Sequence, residues 1–170
     1  MKPILTVLLL LALVGCQPEK PTTGSQEPAG SVAGPVPPPP SDDSLALAGI
    51  YQLQQQAAGE RSVGALQLLD SMRCQSDGFV TEALDEAAAE VWNRQFTLTL
   101  RYLEQHPKSC LRQSVVRGLS AAMFAADDQT QALAHFHQTS LDSARRAGLS
   151  TPEMVFLHQL TAEVNPARLD

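Results

Sequence analysis

Few side chains in this 170-residue chain have the chemistry to bind or transform a ligand: three cysteines, four histidines and two neighbouring acidic pairs, Asp85-Glu86 and Asp127-Asp128. A metal centre needs several such groups on one face, as at positions i and i+4 of a helix. His135 and His137 are two apart in a helical pattern, so they point to different faces and cannot share an ion. His137 lies on the side of Leu133 and Phe136 and reads as packed. Neither HExxH nor CxxC occurs, and no metal or cofactor is expected. Asp127-Asp128 precedes a helical pattern and reads as a cap, and Asp85-Glu86 reads as an exposed acidic turn where solvation suffices. No Gly-rich phosphate loop occurs, and no serine stands in a nucleophile elbow. These residue types point to a binding protein rather than an enzyme.

The remaining chemistry is that of the cysteines, and it starts at the N-terminus. Lys2 is followed by the apolar block "ILTVLLLLALV", then by Gly15 and Cys16, the layout of a secretory signal peptide over residues 1–15. The block is shorter than the roughly 20 residues a membrane span needs. Leu13, Gly15 and Cys16 of "LVGC" resemble the lipobox of bacterial lipoproteins. The resemblance implies cleavage before Cys16, a diacylglyceryl thioether on its sulfur and a further acyl chain on its amine. Gln17 stands where an aspartate marks inner-membrane retention in enterobacteria, so the resemblance favours a lipid anchor in the outer membrane, facing the periplasm. Two or more acyl chains anchor stably, because each buried methylene contributes roughly 0.8 kcal/mol.

Residues 16–41 are rich in Pro, Gly, Ser and Thr and include the run Pro37 to Pro40. Such composition cannot offset its ordering entropy and reads as a disordered tether, roughly 70 Å long if fully extended in polyproline II. Residues 42–170 amount to one domain. Sixteen acidic against ten basic residues follow position 40, so the net charge of −6 resides there. That balance speaks against nucleic acid and against adsorption of the domain on anionic lipid. With Cys16 assigned to lipid, Cys74 and Cys110 form an even pair that the oxidising periplasm would bridge, stabilising the fold by about 4 kcal/mol.

Apolar residues that recur at three and four positions must place these groups. Ala46, Ile50, Leu53 and Ala57 make one stripe, and Ala65, Leu68, Leu69 and Met72 a second after "GERSVG". The longest helix is expected through "EALDEAAAEVWNRQFTLTLRYLEQ", with Leu84, Ala88, Val91, Trp92, Phe96, Leu100 and Leu103 buried, ending at His106-Pro107. Leu111, Val115, Leu119 and Met123 continue the pattern. Asp128 starts another helix that closes at "RRAG", and Ser150 with Glu153 has capping-box spacing for a last one. The expectation is an all-α domain of five or six helices. Residues 115–144, with Val116, Leu119, Ser120, Met123, Phe124, Ala132, Leu133 and Phe136, resemble one tetratricopeptide repeat. They depart from it where Ser120 replaces the usual Gly and the later small position falls on Thr139.

Trp92 and Phe96 are core residues by pattern. Followed by Arg101 and Tyr102, they also form the candidate partner-binding ridge, since aromatic and Arg side chains dominate binding hot spots. Lipid anchor, tether, helical domain and cysteine pair together resemble the helical pilotins, lipoproteins that bind a short segment of a secretin subunit and bring it to the outer membrane. A second resemblance is to tethered outer-membrane lipoproteins that activate a bifunctional penicillin-binding protein, some with a tetratricopeptide-like domain. An immunity or housekeeping lipoprotein binding one periplasmic protein is the third reading.

Overall fold

The computed structural model describes residues 42–169, and the expected signal peptide, the lipidation at Cys16 and the tether lie outside them. The described chain folds into seven α-helices and a terminal 3-10 turn: α1 Asp42–Glu60, α2 Val63–Gln75, α3 Gly78–Arg94, α4 Phe96–Gln105, α5 Leu111–Phe124, α6 Gln129–Ala147, α7 Thr151–Glu163 and the turn Pro166–Arg168. No strand occurs among the described residues. The domain is all-α as its periodicity implies, with one helix more than the upper expectation.

The extra helix comes from a break at Gln95, in the middle of the expected long helix. Gln95 leaves helical geometry at φ −129°, ψ 49°. Its side chain donates to the carbonyl of Ala58 at the end of α1, at 2.6 Å, and its own carbonyl receives the Thr99 hydroxyl at 3.0 Å. Gln95 has ordinary helix propensity, so the sequence pattern carries no sign of the break. The other ends follow local rules. Asp128 Oδ1 accepts from the Gln131 amide at 2.9 Å, and the Ser150 amide donates to Glu153 Oε2 at 2.6 Å. Gly148 closes α6 at φ 61°, a left-handed conformation that costs glycine nothing.

Helix α3 is the centre of the domain. It buries Leu84, Asp85, Ala87, Ala88, Ala89, Val91 and Trp92, a spread too wide for one face, because α1 packs on one side and α5 on the other. The run Ala87 to Ala89 keeps the α3 surface low enough for both neighbours. Contact with α5 is closest at Gly118, where an added Cβ would sit 2.0 Å from the Asp85 carbonyl oxygen and 2.9 Å from the Ala89 Cβ. Helix α4 packs against α2, α6 and α7, and the terminal turn lies back on α5. In α2 the buried positions are Ala65, Leu66 and Leu69, while Leu68 of the expected stripe is 56% exposed.

The tetratricopeptide resemblance of residues 115–144 does not extend to packing. Helices α5 and α6 share only a narrow contact, whereas α5 lies along α3. A tetratricopeptide hairpin packs its two helices on each other through small residues; here α5 makes a close approach at Gly118, which lies outside that pattern, and makes it to α3. Ser120 instead ties the C-terminal turn to α5, its hydroxyl donating to the Val116 carbonyl at 2.7 Å and accepting from the Asn165 amide at 3.0 Å.

Candidate partner-binding groove

Two polar assemblies fix α5. At its N-terminus, Cys74 of α2 and Cys110 are joined in a disulfide with Cα atoms 5.4 Å apart, as expected for the pair. Beside it, Asp70 accepts from the Leu111 amide at 3.0 Å and from the Tyr102 hydroxyl at 2.8 Å. Asp70 therefore serves as the anionic cap that Cys110, at the N-cap position, does not supply. Burial, aided by the hydrogen bond to Asp70, pushes the Tyr102 phenol up. Asp70, Cys74 and Cys110 form the one ligand-like cluster among the described residues. The disulfide leaves neither sulfur as a thiolate, the form that binds a metal.

The second assembly overturns the reading of Asp85 as part of an exposed acidic turn. Asp85 lies in the body of α3 and is 7% exposed. Its Oδ1 accepts from the Ser114 hydroxyl at 2.5 Å and lies 3.4 Å from Arg73 Nε, and its Oδ2 is 3.2 Å from Arg117 Nε. Ser114 accepts in turn from Arg73 Nε at 2.8 Å. Burial raises the Asp85 carboxyl above its ordinary range, while Ser114 and the two guanidinium groups hold it down in part. Helices α2, α3 and α5 meet through this network.

The expected ridge of Trp92, Phe96, Arg101 and Tyr102 does not form. The break at Gln95 separates its halves, and both Trp92 and Tyr102 are buried, at 2% and 5% exposure. Tyr102 faces Asp70 of α2, and Arg101 donates to Glu153 of α7 at 2.7 Å. Trp92 and half-buried Phe96 stay together, ring edge to ring face with centroids 4.9 Å apart. His135 is exposed on α6 and His137 half-buried, with the Phe136 and His137 rings 5.6 Å apart.

Trp92 and Phe96 instead line part of a groove along the seam of α3 and α5. One end is a cavity of about 670 Å³ walled by Glu82, Glu86 and Glu90 of α3, with Gln54 of α1 and Leu169 at its margins. Its floor is small, made by Ala89, Gly118, Ala121 and Ala122, and Arg117 stands on the α5 side. A second hollow of about 480 Å³ between α3, α5 and α6 is lined by Trp92, Phe96, Met123 and Phe136 among others. Asn93 and Ala122 line both, so the hollows adjoin. From Glu82 to Asn93 the α3 wall rises roughly 17 Å, the length of about three helical turns or five extended residues of a bound chain.

No protein-family model, curated protein or solved structure matches the chain. The sequence pattern missed Glu82, Glu86, Asn93 and Ala122 as a set. The four-residue spacing of Glu82, Glu86 and Glu90 was their only sign.

Proposed function

We propose that this protein is a non-catalytic adaptor, anchored by a lipidated Cys16 to the periplasmic face of the outer membrane, that binds a short segment of a partner protein. The partner class that best fits is a secretin subunit, making the protein pilotin-like. The observation that carries the reading is the groove between α3 and α5: open, elongated and formed on a disulfide-pinned helical scaffold. Helical grooves of this length commonly take an amphipathic helix or an extended peptide. No helix among the described residues is long and apolar enough to cross a membrane; the attachment to Cys16 rests on the lipobox resemblance of "LVGC".

Deleting the gene and measuring secretin multimers in outer-membrane fractions tests the reading: loss of multimers supports it, and unchanged multimers refute it. Labelled palmitate should enter the wild-type protein and not a Cys16→Ser variant. The Pro-rich residues 16–41 favour a second reading, activation of a penicillin-binding protein across the peptidoglycan. Shortening residues 18–36 while keeping Cys16 should then abolish function, and wild-type behaviour of the short form would remove that reading.

A further inference from the structure

Glu82, Glu86 and Glu90 stand four residues apart on α3, so their carboxylates form a row along roughly 12 Å of one face. A helix surface normally relieves such acids with Lys or Arg at i+4, whereas like charges at that spacing repel. Here the i+4 neighbour of Glu82 is Glu86, and that of Glu86 is Glu90. Glu90 alone of the three is paired, with Arg94 at 2.5 Å. Glu82 and Glu86 enter no ion pair among the described residues. The cation across the groove, Arg117, pairs with Asp85 instead. The free protein thus carries, along a groove wall, two carboxylates without an ion pair among the described residues, Glu82 and Glu86, beside the paired Glu90. The floor below it is made of small residues that let a main chain approach, and the groove leads to an apolar hollow at Trp92 and Phe96.

We propose that this groove binds a cationic amphipathic segment of a protein partner. Lys or Arg side chains of that segment lie on the Glu82, Glu86, Glu90 row, and an apolar side chain fills the hollow beside Phe96. The proposal deepens the adaptor reading by naming the chemistry of the captured segment, and rests on that reading for its biological setting. Charge complementarity selects the partner: an acidic segment would add to the row's repulsion, and an uncharged one would leave it unrelieved.

The test uses the full mature chain and fluorescein-labelled designed peptides of about 14 residues. The first set carries Lys at i, i+4 and i+8 with one Leu or Phe placed at each position of the following turn. The second replaces every Lys by Glu, and the third keeps Lys but lacks the apolar residue. At low salt the first set should include saturable binders at least tenfold tighter than their Glu counterparts. A Glu82→Gln/Glu86→Gln variant should weaken them three- to tenfold while keeping the wild-type circular dichroism and a urea midpoint at or slightly above wild type, because neither residue has an ion-pair partner to lose and neutralisation relieves their repulsion. Equal affinity for Lys and Glu peptides, or unchanged affinity in the variant, overturns the proposal. Equal affinity for the third set overturns it too, since that is diffuse attraction without the hollow. Peptide-independent dimerisation lost in the variant would assign the groove to a second copy and also overturn it. In cells, multimers lost on deletion but kept in the double variant would sink the groove proposal and leave the adaptor reading standing. Multimers unchanged on deletion would sink the adaptor reading whatever the peptides do.

Discussion

Gly118→Ala should destabilise this protein, although alanine is the better helix former by about 1 kcal/mol. The new Cβ would lie 2.0 Å from the Asp85 carbonyl oxygen, 2.7 Å from its carbonyl carbon and 2.9 Å from the Ala89 Cβ. The first two atoms are backbone of a central helix and cannot rotate away. Relief requires α5 to withdraw from α3, loosening a core to which Leu84 and Val91 of α3 and Val115 and Leu119 of α5 contribute buried side chains. Overpacking of this kind costs about 1–3 kcal/mol and more where backbone is struck. Against the propensity gain, the net expectation is a loss of up to about 2 kcal/mol. Gly49→Ala in the middle of α1 is the matched control, since nothing lies within 4 Å of its Cβ position. It should gain a few tenths of a kcal/mol, up to about 1. Urea unfolding of the oxidised full chain, followed by circular dichroism, reads both. Should Gly118→Ala unfold at or above the wild-type midpoint, the close approach of α3 and α5 is wrong.

Three further outcomes follow from the polar assemblies. Burial raises the Asp85 carboxyl despite its cations, so holding the charge there costs the fold more than it costs the unfolded chain. Asp85→Asn should therefore fall within about 1 kcal/mol of wild type at neutral pH, while Asp85→Ala, which leaves Ser114 and Arg73 without their acceptor, should cost about 3 kcal/mol; equal losses would refute the network. Glu153 titrates the opposite way, with hydrogen bonds from Arg101 and Ser150 lowering it from 4.5 to about 2. Its contribution to stability is present above pH 4.5 and lost as pH falls towards 2, whereas the Asp85 contribution is present below pH 3.8 and lost as pH rises through its raised value. Carboxyl carbon shifts followed by NMR should show Glu153 moving near pH 2 in wild type and at higher pH, still below its ordinary value, in Arg101→Ala, where the two Ser150 hydrogen bonds remain. Reducing Cys74–Cys110 should lower unfolding free energy by about 4 kcal/mol, and mass analysis without reductant should find the pair two hydrogens lighter than the dithiol.

The features legible in the sequence are those whose causes lie within one turn of chain. Asp128, Gly148 and the Ser150–Glu153 pair act on their own neighbours, so spacing suffices to place three helix ends. The disulfide is legible because the helical region holds two cysteines, Cys74 and Cys110, which can pair with each other. Asp85 is misread because its partners are Ser114, 29 residues on, and Arg73, on another helix. From sequence alone Asp85 has only Glu82, Glu86 and Glu90 around it, and with them it reads as a solvated acidic turn. Gln95 is invisible for the same reason, its helix-breaking contact being with Ala58, 37 residues earlier. The ridge of Trp92, Phe96, Arg101 and Tyr102 depends on an unbroken helix, and that one break sends its two halves to different neighbours.

The assemblies that hold the fold also form the walls of the groove, which separates two kinds of damage. Helix α5 is held to α2 by the disulfide and Asp70, and to α3 by the Gly118 contact and the Asp85 network. A groove fixed at that many points needs little ordering when a peptide arrives, so more of the contact energy appears as affinity. Substitutions at Gly118 or Asp85→Ala should therefore weaken peptide binding and stability together, because they move a wall. Glu82 and Glu86 project from α3 without holding it to anything, so their neutralisation should lower affinity without lowering stability. Isothermal titration and urea unfolding on the same four variants would place them on two separate trends. A single trend, with affinity tracking stability throughout, would mean that the acidic row does not touch the bound segment.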